Sequence, residues 1–125
     1  MPTQRDWDAV KDLSRRITDP VQPFLTTETR ALVQSTAHDV GISPDETTRA
    51  LQDDESAAVL VREIASRIST GSRRLSRTLA EVDRRRDAGD LEGARQLLQD
   101  VLAVEVVSHY VDILNTYLQA VDDDS

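Results

Sequence analysis

Three residues towards the C-terminal end combine types that can bind a cation or move a proton. Glu105, His109 and Asp112 are separated by four and then three positions, and on a helix those spacings put side chains on one face. A row of carboxylate, imidazole and carboxylate could ligate a metal ion. Helical di-metal sites, however, take a Glu-x-x-His pair from each of two helices together with further glutamates. Here the Glu-to-His spacing is four, and the only other histidine, His38, belongs to a different element. The simpler reading is a polar helix face or a hydrogen bond between helices, and no metal is expected. Glu105 has a second peculiarity, because it sits among apolar neighbours in the run VLAVEVV. If buried, it needs a partner, and an arginine of the long helix described below is the natural one. If exposed, it needs none, and both readings stay open at this point.

A second pattern is basic. Eight arginines fall between positions 62 and 86, against Glu63, Glu81 and Asp83. At ~100° per residue, Arg62, Arg73, Arg77 and Arg84 lie on the side opposite the apolar line of the same segment. The chain as a whole carries a net charge of −8 and a pI near 4.6, so this is a local reversal of charge. An idle solvated face explains it; so does a surface for an acidic partner, either another protein or a second copy of this chain. Nucleic acid is not expected there: the acidic chain repels phosphate, and no aromatic residue stands nearby to stack on bases.

A third pattern is TAHDVGISPDETTRAL, which resembles a helix-turn-helix. Ala37, Val40, Gly41, Ile42 and Ser43 follow its turn pattern. Thr47, however, occupies the place where a recognition helix buries a branched apolar residue. Asp45 and Glu46 begin that helix, where they would meet phosphates and base edges. Helix capping accounts for the same residues: Ser43 as N-cap, Pro44 at the first helical position, and Glu46 closing a capping box. No glycine-rich phosphate loop, no cysteine and no Ser-His-Asp set is present, so an enzyme is not expected. Nor is a cofactor or a small-molecule ligand.

The elements that must position these residues are helical. The set Trp7, Val10, Leu13 and Ile17 has helical spacing. Pro20 and Pro23 end that helix and make an extended link through Phe24. A second helix is expected after Thr27, carrying Ala31, Leu32, Ser35 and Val40, with Gly41 as its left-handed C′ residue. A short helix then runs from Ser43 to about Leu51. From about 54 to 88 the apolar set Ala57, Leu60, Val61, Ile64, Ile68, Gly71, Leu75, Leu79 and Val82 keeps one phase. That predicts one helix about 50 Å long. Gly89 ends it and Asp90 caps the next helix, giving an αα-hairpin. The next helix carries Leu91, Ala94, Leu97, Leu98, Val101, Leu102 and Glu105. It either continues through Tyr110, Leu114, Tyr117, Leu118 and Val121 or bends near Ser108. Gly93 and Ala94 are expected to let two backbones approach closely. Residues 122–125 read as a frayed acidic tail. Strand periodicity is missing, so the class is all-α: a single-domain bundle of five or six helices, with an ordered core over 5–121.

The 125 residues suit one domain. Apolar residues are 38% and aromatic ones 3%, so the core must be built from Leu, Val, Ile and Ala. The absence of cysteine and of a leader-like or spanning apolar run suits a cytoplasmic chain with no membrane partner.

Gly89, Ala94, Leu98 and Leu102 resemble the second half of a tetratricopeptide repeat, but Glu81, Val82 and Arg85 break its first half. No copy recurs at the repeat period. A wider resemblance rests on the strings VGISP, GSRRL, RDAGDLEGARQLL and VLAVEVVSHY together with the early Trp7. These are similar to the DUSAM domain, a family of unknown function associated with myxobacterial paralogues. The resemblance runs roughly from Trp7 to Val121. Where that family often has proline, this chain has Ser108. It implies boundaries and adds no active site. The functional expectation is a non-enzymatic protein-interaction or oligomerisation domain that uses Arg62, Arg73, Arg77 and Arg84. The alternative is a degenerate helix-turn-helix regulator.

Overall fold

A computed structural model describes residues 4–16 and 26–124. Six helices form within them: α1 (Gln4–Arg16), α2 (Thr27–Asp39), α3 (Pro44–Ala50), α4 (Asp54–Asp87), α5 (Leu91–Leu102) and α6 (Ser108–Asp124). None of the described residues is in a strand. The protein is an all-α helical bundle, and its long helix falls where the apolar phase predicts it. The chain divides into two compact units, one ending at Ile68 and the other beginning at Ser69. The division lies inside α4.

In the first unit α1 packs on α2 and α2 on α3. Trp7, Val10 and Leu13 of α1 are buried as their spacing requires; Ile17, Pro20, Pro23 and Phe24 lie outside the described residues. Thr26 caps α2, its hydroxyl accepting from the Thr29 amide at 3.0 Å. The buried residues of α2 are Val33, Thr36, Ala37 and Asp39, and Val40 is buried just past its end. That corrects the face expected from Ala31, Leu32 and Ser35: Ala31 and Ser35 are exposed and Leu32 is half-buried. Thr36 can enter the core because its hydroxyl donates to the Leu32 carbonyl at 2.7 Å, leaving its methyl group to pack.

Gly41 takes φ 82°, the left-handed turn that glycine adopts without a Cβ clash. The Ile42 amide then reaches back to the Ala37 carbonyl at 2.9 Å and the Gly41 amide to His38 at 3.2 Å, the two bonds of a Schellman motif. Ser43 caps α3, accepting from the Glu46 amide at 3.2 Å, and Pro44 is the first helical residue. Two arginines finish these helix ends from a distance. Arg67 donates to the Val40 carbonyl at 2.9 Å and Arg30 to the Leu51 carbonyl at 3.0 Å. Both satisfy carbonyls that a helix terminus leaves without an intrahelical partner.

In the second unit α5 packs on α6. The α4–α5 joint is a second Schellman turn. Gly89 has φ 81°, and the Asp90 amide bonds to the Arg85 carbonyl at 2.8 Å and the Gly89 amide to Arg86 at 3.0 Å. Asp90 then caps α5 through the Gly93 amide at 2.9 Å. At Gly93 a Cβ would collide with the capping carboxylate of Asp90 and with the Arg85 guanidinium. Helix α5 stops at Leu102, and α6 begins afresh at Ser108. The bend near Ser108 is therefore a full break. Ser108 is the first residue of α6, a position where proline is favoured. At the far end, the frayed tail expected from residue 122 is instead the last turn of α6. Asp122 accepts from Arg95 at 2.8 Å and Asp124 from Arg86 at 3.0 Å.

Candidate functional site

The row Glu105, His109 and Asp112 does not exist as a helical face. Glu105 lies in the link between α5 and α6, whereas His109 and Asp112 lie in α6. The Glu105 side chain is fully buried, and the two α6 side chains are exposed. No group of three or more ligand-type residues able to hold a metal occurs among the described residues.

Burial of Glu105 has a local cause. Link residues 103–107 are too few for another helix, and their side chains alternate: Val104 and Val106 point outward, Glu105 and Val107 inward. The carboxylate resolves the polar cost of that turn. Its Oε2 accepts from the amides of Val106 at 3.0 Å and Val107 at 3.3 Å; the second is a donor that the start of α6 would otherwise leave unmatched. The same oxygen pairs with Arg74 of α4 at 3.3 Å, the buried alternative posed by the sequence. The inventory is incomplete: Oε1 of Glu105 and Nε of Arg74 are buried without a hydrogen-bond partner.

Two more residues shape this buried corner. A Cβ at Gly71 would lie 2.9 Å from the Tyr110 ring and 3.1 Å from Oε2 of Glu105, so only glycine lets both approach α4. Burial, the largest influence, pushes the Tyr110 phenol above its ordinary range; a hydrogen bond with Ser72 opposes the shift and the Glu105 charge adds to it. The corner joins α4 to the link and to α6. Its chemistry is that of a structural clasp, with one carboxylate serving three donors. Sequence reading missed the parts of Gly71 and Ser72, since nothing in helical periodicity marks a position for approach by a ring.

The arginines sort into two kinds. Arg67, Arg74, Arg85, Arg86 and Arg95 are partly covered and each joins a carboxylate. Arg62, Arg73, Arg77 and Arg84 are exposed, as expected of the side away from the apolar line. Arg84 pairs with Glu81 at 2.6 Å while 75% of its side chain remains accessible. Arg73 and Arg77, one turn apart, form no ion pair among the described residues. Arg62 belongs to the first unit and the other three to the second.

The turn-and-helix pattern at 37–51 is present as α2, the Gly41 turn and α3. Thr47 is buried where the pattern asks for an apolar residue, its hydroxyl donating to the Ser43 carbonyl at 2.9 Å. Asp45 and Glu46 are exposed at the start of α3. The capping box is half made, because the Glu46 carboxylate forms no return bond to the Ser43 amide.

No helix among the described residues is long and apolar enough to cross a membrane. No curated protein and no solved structure matches the chain. The family model described as "Protein of unknown function (DUF2379)" matches residues 5–121, a span that takes in both units, the α3 turn, the clasp and the exposed arginines. The chain therefore belongs to the DUF2379 family.

Proposed function

We propose that this is a non-enzymatic protein-interaction module that presents exposed arginines of α4 to an acidic partner, which is another protein or a second copy of the chain. The observation that supports this reading is the pair Arg73 and Arg77. Like charges at i and i+4 cost about 0.2–0.5 kcal/mol on a helix. The chain holds 23 carboxylates, and neighbouring arginines use them, yet these two guanidinium groups stay unmatched. A surface of that kind gains most from carboxylates brought by a partner. Arg84, paired with Glu81 yet still 75% accessible, extends the surface; Arg62 is exposed on the first unit. The resemblance to the DUSAM domain belongs with this reading and names no partner.

Size-exclusion chromatography with light scattering, at several concentrations and two salt levels, is the first test. A dimer that dissociates in high salt, and that Arg73→Glu with Arg77→Glu abolishes, is the result for a second copy. A monomer throughout moves the test to recovery of bound proteins on immobilised wild-type and variant chains. Equal recovery by both removes the proposal.

The α2–α3 turn supports a second reading, a degenerate helix-turn-helix on DNA, through the burial of Thr47. Asp45 and Glu46 oppose it. Retention on random duplex that falls with salt is its expected signature, and a flat response at low salt removes it.

A further inference from the structure

In the buried corner of the second unit, Arg74 and Glu105 meet through a single pair of atoms, Nη2 and Oε2, at 3.3 Å. A guanidinium can engage a carboxylate through two parallel bonds, and the second pair here would be Nε and Oε1. Both of those atoms are buried, and neither has a hydrogen-bond partner in the protein. They are close neighbours all the same. Nε shares its guanidinium carbon with Nη2, and Oε1 shares its carboxyl carbon with Oε2, so a leftover donor and a leftover acceptor flank one contact. The carboxylate is not free to swing Oε1 onto Nε, because the Val106 and Val107 amides hold Oε2 at 3.0 and 3.3 Å. The Tyr110 hydroxyl at the same corner is engaged with Ser72. Gly71, which faces the carboxylate from α4, adds no side chain to fill the space.

A buried polar atom of a charged group is costly to leave unpartnered, and these two atoms together define what satisfies them. The occupant must donate to a carboxylate oxygen and accept from a guanidinium N–H. A metal cation has no lone pair for Nε and is repelled by Arg74. An anion accepts from Nε but is repelled by Glu105. A small neutral molecule that both donates and accepts meets both demands, and water, which in protein interiors typically bridges otherwise unsatisfied polar groups, is the smallest. We propose that one ordered water molecule is bound in the clasp, donating to Oε1 of Glu105 and accepting from Nε of Arg74. It closes the ion pair into a ring, with Nη2 bonded to Oε2 directly and Nε joined to Oε1 through the water. The pair is then fully hydrogen-bonded without bidentate geometry, as a buried charge pair requires. This site does not involve Arg73 or Arg77 and stands or falls independently of the arginine surface.

A crystal structure of the full chain that resolves ordered solvent is the direct test. The expected result is a solvent peak about 2.5–3.2 Å from both Nε of Arg74 and Oε1 of Glu105. Water NOE and ROE spectra of the isotopically labelled chain give a second reading in solution, at low temperature, where guanidinium protons exchange slowly with bulk water. The Nε–H of Arg74 should show a cross-peak to water with opposite NOE and ROE signs, the signature of a long-held molecule. Exposed Arg77 is the internal control and should show only transient hydration. A direct bond from Nε to Oε1 overturns the proposal, because the pair then satisfies itself. So does a solvent peak that reaches only one of the two atoms, or an Arg74 side chain turned out into solvent. An Arg74 Nε–H that behaves towards water as that of Arg77 does overturns it as well.

Discussion

At the scale of single residues, the buried corner around Glu105 is where small changes should matter most. Removing its carboxylate leaves the Val106 and Val107 amides and Arg74 without their acceptor at once. Arg74 keeps 31% of its side chain accessible, so water recovers part of that loss. Glu105→Ala is expected to cost about 2–3 kcal/mol, below the range for a fully buried pair. Urea unfolding measures it, and a change under 1 kcal/mol would show the clasp to be idle. Gly71→Ala tests the same corner by volume. Its added methyl group meets the Tyr110 ring at 2.9 Å, and overpacking of that kind costs about 1–3 kcal/mol. Tyr110 offers a pH readout. Its phenol ionises later in the folded chain than in the unfolded one. The stabilisation from its neutral form is therefore present below about pH 10, the ordinary phenol value, and is lost as pH rises through the raised value. In a Tyr117→Phe variant, whose only remaining tyrosine is Tyr110, tyrosinate absorbance should rise later than in free tyrosine. A titration at the ordinary value means that the phenol is solvated.

At the scale of elements, helix ends were more legible than helix faces. Gly41, Ser43, Pro44, Gly89 and Asp90 all end or start helices as their chemistry requires, because capping involves only neighbours in sequence. Replacing Gly89 with alanine forces a Cβ into φ 81° in otherwise open space, so the expected cost is pure backbone strain, about 1–2 kcal/mol. Thermal unfolding checks it; an unshifted midpoint would mean that the joint relaxes without the left-handed turn. The face of α2 was misjudged because threonine reads as polar. Thr36 and Thr47 are buried by turning their hydroxyls onto carbonyls of their own helices, which no count of apolar residues anticipates. The break at 103–107 was obscured for a related reason: the valines there continue the apolar composition of both flanking helices.

At the scale of the whole molecule, α4 crosses from the first compact unit to the second without interruption. Helix formation is cooperative along the chain. We therefore expect both units to unfold together, as the single domain suggested by chain length would. Trp7 reports on the first unit, where it is buried, and far-UV circular dichroism reports on all six helices. The two should give coincident urea midpoints, and separated midpoints would make the units independent domains. Surface changes such as Arg73→Glu should leave the midpoint within about 0.5 kcal/mol, so any loss of partner binding in that variant is assignable to charge.

The sequence by itself determined the all-α class, the extent of α4, the two glycine turns and the exposure of Arg73, Arg77 and Arg84. Each depends on periodicity or on contacts between near neighbours, which the order of residues encodes directly. Only the tertiary structure decided that Glu105 is buried on Arg74 and that Gly71 makes room for Tyr110. Those facts depend on which segments meet in space. A residue's burial is set there by surfaces many positions away, and one sequence without its fold does not carry that information in any local pattern.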